Sequence, residues 1–208
     1  MEKYVKSITA LNNAALSNNN MDDIERGAES DIFWAQNKNK PLINRSVKKG
    51  EIYQFEFGKN YIPEMSYEHR GLVIGSSGKL LYVLPICSYN PSNKDHVNAY
   101  NRVGNTENKS NYYLLKQEEH QFLAHDSVLK LNDIRTVSVA RIKYRQENGY
   151  IDPNSDIYKS DIYKEIERLV FSKYFFNYFY EYEKLLEENA MLRDELEQMK
   201  KTDSDLIE

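Results

Sequence analysis

Between Gly50 and Ile142 the apolar residues recur with a period of two or in short unbroken runs, a pattern that restricts this segment to a small antiparallel β domain. In Glu51-Ile52-Tyr53-Gln54-Phe55-Glu56-Phe57 the aromatics Tyr53, Phe55 and Phe57 face one way and Gln54 and Glu56 the other, which reads as a half-buried strand. Leu72–Ile74 and Leu80–Ile86 are almost wholly apolar strands, and Gly75-Ser76-Ser77-Gly78 between them reads as a tight hairpin turn. Further strands are expected at Tyr112–Leu115, Ser127–Leu131 and Val137–Ile142, with a short turn of helix at Asn132–Arg135. Short strands separated by turns build a small barrel or sandwich. Asn90–Asn111, rich in Asn, Ser, Lys and Gly, is expected to be a long mobile loop.

Helical periodicity takes over on both sides. Tyr4, Val5, Ile8, Leu11, Ala15 and Leu16 predict a first helix that the Asn18–Asn20 run ends. A second is expected over Asp22–Gln36, with Ile24, Ala28, Ile32 and Phe33 on its apolar side, stopping at Asn39-Lys40-Pro41. After Asp152-Pro153-Asn154 one long helix is expected from about Asp156 to Lys200. Its end carries a heptad, with Tyr182, Asn189 and Leu196 at a and Leu185, Leu192 and Met199 at d. An Asn at a fixes the register of a parallel dimer. Glu188 would face a partner's Arg193, and Glu195 a partner's Lys200, so segment 182–200 predicts a parallel homodimeric coiled coil. The other reading is a helix folded back on its own domain. The stretch Val170–Tyr182 is apolar nearly all round, so burial is expected there, beneath the β domain or in the dimer interface. The organisation is thus an α+β chain with a helical extension over 1–44, a β domain over 45–150 and a long C-terminal helix over 151–208.

A length of 208 residues suits one compact core with helical additions. No run approaches the ~18 apolar residues needed to span a bilayer. Met1–Ala10 lacks the apolar centre of a signal peptide, and Cys87 is the single cysteine, so a cytoplasmic protein is expected. Net charge is −4, unevenly spread. Residues 45–150 hold 15 Lys and Arg against 11 Asp and Glu (+4), residues 151–208 hold 8 against 15 (−7), and residues 1–44 hold 5 against 6 (−1). A cationic middle is compatible with a polyanionic partner, as it is with a solvated basic surface.

The sequence contains no Gly-rich phosphate loop, metal-spaced Cys/His cluster or nucleophile elbow, and no cofactor or metal is expected. His69, His96, His120 and His125 are scattered and read as surface or capping residues. What remains is Glu68-His69-Arg70 before one apolar strand and Cys87-Ser88 after another. If the two strands are neighbours, Arg70 and Cys87-Ser88 share one end of the sheet. A guanidinium beside a hydroxyl suits a phosphodiester, and an ordinary surface ion pair for Arg70 is the competing reading. Arg135 is expected to anchor the domain through a carboxylate or a helix end.

Lys49-Gly50-Glu51-Ile52-Tyr53, then Phe57-Gly58, then Arg70-Gly71-Leu72-Val73-Ile74 resemble the opening of the MazF/PemK family, the mRNA interferase toxins of bacterial type II toxin–antitoxin systems. Leu84-Pro85-Ile86-Cys87 with Ser88 sits where that family has a strand ending in Thr or Ser. Asp126-Ser127-Val128-Leu129-Lys130-Leu131-Asn132-Asp133-Ile134-Arg135-Thr136-Val137 is similar to its DSVxLLxQIRT signature. The resemblance covers roughly residues 48–145. It implies a small SH3-like barrel that dimerises, cuts single-stranded RNA without metal through the substrate's 2′-hydroxyl, leaves a cyclic phosphate, and is held by an antitoxin protein. Arg70 matches the family's catalytic Arg, and either Cys87 or Ser88 its hydroxyl residue; Gly71 stands where the family has Pro. His69, beside Arg70, is a candidate acid–base group titrating near neutrality. A barrel that has lost its chemistry and serves as a dimeric binding or regulatory module is the alternative. A zipper-type DNA reader is disfavoured, because the residues before the heptads are aromatic rather than basic.

Overall fold

The structure, a computed structural model, describes residues 1–17, 20–40, 46–107, 109–151 and 162–205. It is α+β, with two compact units, Met1–Tyr163 and Lys164–Glu208. Two helices, α1 (Glu2–Ser17) and α2 (Met21–Asn37), precede seven strands: β1 (Glu51–Glu56), β2 (Glu68–Ser77), β3 (Leu80–Ser88), β4 (Tyr112–Leu115), β5 (Ser127–Lys130), β6 (Arg135–Ser138) and β7 (Ile142–Tyr150). A short α3 (Lys94–Val97) precedes β4, and α4 (Ile162–Tyr174) and α5 (Phe176–Asp205) follow the sheet. All strand pairings are antiparallel, in the order β4-β5-β3-β2-β1-β7, and β6 pairs with β3. The long β3 therefore serves three partners. Its first half pairs with β6, its last residues with β5, and β2 runs along its other edge.

The aromatic alternation of β1 does what its period predicts. Tyr53, Phe55 and Phe57 pack on one sheet face with Val73, Leu81, Val83, Val137 and Ile142. The expected half-burial is corrected, however. The opposite face is also covered, and Ile52, Leu72, Leu84, Ile86, Leu129 and Leu131 are fully buried on or beside it. A central strand closed on both faces reads as nearly continuous apolar sequence, as β3 does.

Several boundaries move, each because a non-local pairing decides it. β2 does not stop at Ile74. It continues through a register shift between Val73 and Gly75 to Ser77, and the turn is Gly78-Lys79, with Gly78 at φ 60°. Leu131–Asn132 form a turn and Asp133–Ile134 are irregular rather than helix, Arg135 already lies in β6, and the expected last strand is two strands separated by a 3₁₀ turn at Val139–Arg141. The 90–111 segment has its own structure, with α3 capped by Asn93 and the Tyr100 ring stacked on Tyr113 at 5.5 Å. His96 and His120 are buried, which corrects their reading as surface residues. On α2 the buried positions are Gly27 and Ser30; of the apolar side read from the sequence, Ile24 and Phe33 are half-buried but Ala28 and Ile32 are exposed. Ser30 donates to Glu56 Oε1 at 2.9 Å, so a polar contact seats this helix.

The start expected for the C-terminal helix lies outside the described residues, and the helix is interrupted at Phe175. Arg168 and Glu183 are fifteen residues apart yet form an ion pair at 3.4 Å. A straight helix would separate them by about 22 Å, so the axis bends sharply. Phe171 lines the inside of the bend, with its ring 5.4 Å from Phe175 and 6.1 Å from Phe179. Phe176, Tyr178, Tyr180 and Tyr182 are not buried within their own unit. Among the described residues no helix is long and apolar enough to cross a membrane.

Candidate functional site

Strand register sorts the candidate residues onto two faces. Gln54, Arg70, Ile86 and Leu129 are successive cross-strand partners on β1, β2, β3 and β5, and so share one face. Ser88 is two residues beyond Ile86 and pairs with Ser127, which puts both serines on Arg70's face. Cys87, one residue earlier, pairs with Val128 and belongs to the other face, as does His69, which pairs with Phe55. Of the four sequence-derived candidates, only Arg70 and Ser88 share a sheet face, while the Arg70 charge still acts on Cys87 and His69.

Arg70 is half-buried, and its Nη2 donates to Ser127 Oγ at 3.1 Å. Ser127 is fully buried and donates to the His125 carbonyl at 3.2 Å, so its hydroxyl is left to accept from the guanidinium. Among the described residues no carboxylate pairs with Arg70, which sets aside the ordinary ion pair. Burial lowers the Arg70 pKa, and the guanidinium remains a cation at neutral pH. At the exposed edge of the same face, His125 Nε2 lies 2.8 Å from Ser88 Oγ. His125 and Ser127 are the site residues that sequence reasoning missed. Ser127 lies inside the Asp126–Val137 motif and His125 directly precedes it, but only the pairing of β5 with β3 brings them to Ser88.

Cys87 is partly buried, and burial pushes its thiol up against the opposing pull of the Lys130 and Arg70 cations, so it is a neutral, weakly hydrogen-bonding group. His69 corrects the expectation of titration near neutrality. Burial, then the neighbouring Arg26 and Arg70 cations, hold it down at about 4, and Arg26 Nη2 is 3.2 Å from its Nε2. The folded chain thus keeps His69 neutral where the unfolded chain, with an ordinary imidazole near 6.5, takes up a proton. The unfolded state binds more protons across that window, so stability is expected to fall as pH drops from about 6.5 towards about 4. Allowing for the partial exposure of the ring, His69→Gln should remove about 2 kcal/mol of that pH dependence. Buried His96 and His120, also lowered by burial, keep the remainder. Urea midpoints measured against pH check this; identical slopes in both proteins would contradict it.

Arg135 is the anchor expected of it. Its Nε meets Asp133 at 2.8 Å and its Nη2 meets Glu64 at 3.1 Å, while Asp133 also accepts from the Met65 amide at 2.8 Å. These contacts pin the β1–β2 loop to the turn between β5 and β6. A separate cavity of about 410 Å³ is lined by Phe33, Trp34, Lys38, Glu56, Lys59 and Arg141. None of the candidate residues lines it, and Lys59 and Glu56 are already engaged by Asp31 and Ser30. Among the described residues no group of three or more His, Cys, Asp or Glu could hold a metal ion.

No protein-family model matches this chain, and no curated protein matches it either.

Proposed function

We propose that the chain is a toxin-like endoribonuclease of the MazF/PemK type, cleaving single-stranded RNA without metal through the substrate's own 2′-hydroxyl, and that its sheet is that family's SH3-like barrel. The observation that carries the reading is the half-buried Arg70 guanidinium, free of any carboxylate among the described residues and flanked on its face by Ser127 and Ser88. A cation held in this way is completed by an anion, and a phosphodiester supplies one whose charge grows as the phosphorus becomes pentacoordinate. The surplus of Lys and Arg over residues 45–150 favours approach of a polyanion. The barrel reading is supported by β3, which pairs with β2, β5 and β6 and so curls the sheet around the aromatic cluster. On this reading an antitoxin protein neutralises the enzyme by covering its RNA groove, in the bacterial cytoplasm. The test is incubation of the purified chain with a long single-stranded RNA in EDTA, with the fragment ends mapped. Fragments with 5′-hydroxyl and 2′,3′-cyclic phosphate ends support it. Intact RNA across many sequences transfers the proposal to the inactive, dimeric binding module.

The same reading makes the chain a homodimer, through the barrel and through a parallel coiled coil over 182–200. Tyr182, Leu185, Leu192, Leu196 and Met199 are all exposed on α5 in the single chain, a seam that a second copy would cover. Full-length chain is expected to sediment at twice its own mass, and Leu185→Glu with Leu192→Glu should abolish α5 pairing, raising the dimer dissociation constant at least ~100-fold by placing four like charges in the seam. An unchanged dissociation constant would remove α5 from the interface.

A further inference from the structure

His125 lies outside the residues that the family resemblance implies, yet its backbone and ring are both tied into the Arg70 centre. Its carbonyl accepts from Ser127 Oγ, the hydroxyl that receives Arg70 Nη2, and its Nε2 is 2.8 Å from Ser88 Oγ. Ser88 and Ser127 are direct partners across the β3–β5 ladder, so the ring, the two hydroxyls and the guanidinium form one connected set. Within that set the buried members, Ser127 and Arg70, hold charge and position. The exposed members, Ser88 and His125, are open to a ligand and able to exchange a proton. A serine hydroxyl alone is too weak a base to activate a 2′-hydroxyl, and an imidazole within hydrogen-bond reach removes that limit. His69 does not fill the role, since it faces the other side of the sheet against Arg26.

Resting on the ribonuclease reading above, we propose that His125 and Ser88 form the proton-accepting pair for the attacking 2′-hydroxyl of the RNA. With its ring proton on Nδ1, His125 takes the Ser88 proton at Nε2 while Ser88 Oγ takes the proton of the 2′-hydroxyl. The O2′–P bond forms and the P–O5′ bond breaks. The departing 5′-oxygen is protonated by water, and the resulting hydroxide recovers the proton from the imidazolium, so no water is consumed. The products are a 2′,3′-cyclic phosphate and a 5′-hydroxyl, with Arg70 facing the phosphoryl oxygens throughout.

The experiment compares wild type, His125→Ala, His125→Gln and Ser88→Ala on one single-stranded RNA in EDTA, with and without added imidazole, and measures RNA affinity in parallel. His125→Ala is expected to lose about 10²-fold in cleavage rate at unchanged RNA affinity and to recover part of it in imidazole, whereas Ser88→Ala loses rate and does not recover. His125→Gln, which keeps a hydrogen-bonding side chain beside Ser88 without a proton acceptor of this strength, should stay slow. A folded His125→Gln or His125→Ala that cleaves at the wild-type rate overturns the assignment and leaves the ribonuclease reading standing. A slow His125→Ala that ignores imidazole also overturns it, reducing His125 to a structural part of the β5 edge. A wild-type chain that leaves every RNA intact removes the ribonuclease reading and this inference with it.

Discussion

On the proposed ribonuclease reading, replacing Arg70 with alanine is expected to lower the rate of RNA cleavage about 10³-fold while leaving the chain folded. The size follows from the guanidinium's surroundings. It is half-buried, held at Nη2 by a fully buried serine, and no carboxylate among the described residues offsets its charge. Its attraction to a developing phosphorane is therefore little screened and needs no reorganisation. Arg70→Lys should recover little, because a single ammonium cannot hold Ser127 and a phosphate together as a planar fork does. The structural cost should be near 1 kcal/mol, since Ser127 keeps its bond to the His125 carbonyl. Cleavage assays beside urea melts separate the two effects. A folded Arg70→Ala protein with wild-type cleavage would remove Arg70 from the chemistry.

The second large effect is on stability and lies one residue away. Gly71 sits buried between β1 and β3, paired with Tyr53 and Pro85. A Cβ at this position would stand 2.3 Å from Val83 Cγ1 and 3.0 Å from Phe55 Cδ2, inside the aromatic cluster. Gly71→Ala is expected to cost about 3 kcal/mol, the upper end for overpacking a core, because neither Val83 nor Phe55 has room to retreat. Gly71→Pro should cost more, since it adds ring atoms and removes an N–H from a central strand. Val83→Ala should relieve the clash, so the Gly71→Ala and Val83→Ala changes together should destabilise by about 1 kcal/mol or more less than their sum. Urea denaturation decides this, and a Gly71→Ala protein within ~0.5 kcal/mol of wild type would contradict it. Val83 on β3 thus fills the space above Gly71.

The division between what sequence and tertiary structure determine runs along one physical line. Local periodicity was enough for the first five strands, for the two N-terminal helices to within a residue or two at α2, and for the facing of Tyr53, Phe55 and Phe57, because each depends on geometry within a single element, but it missed β7 beyond Ile142. It also brought Arg70 and Cys87-Ser88 to one end of the sheet, leaving open which of the two residues shares Arg70's face. What periodicity could not supply was anything set between elements. Alternation assigns Cys87 and Ser88 to opposite faces, but only the pairing of Arg70 with Ile86 and of Ser88 with Ser127 decides that the serine, not the cysteine, shares Arg70's face. The β3–β5 ladder joins residues about forty positions apart, and a one-residue slip would have exchanged their roles. His125 beside Ser88, the depressed His69 and the crowding at Gly71 have the same origin. Each is a property of side chains brought together by register and burial, whose energies depend on neighbours distant in the sequence, so only the folded structure could decide them.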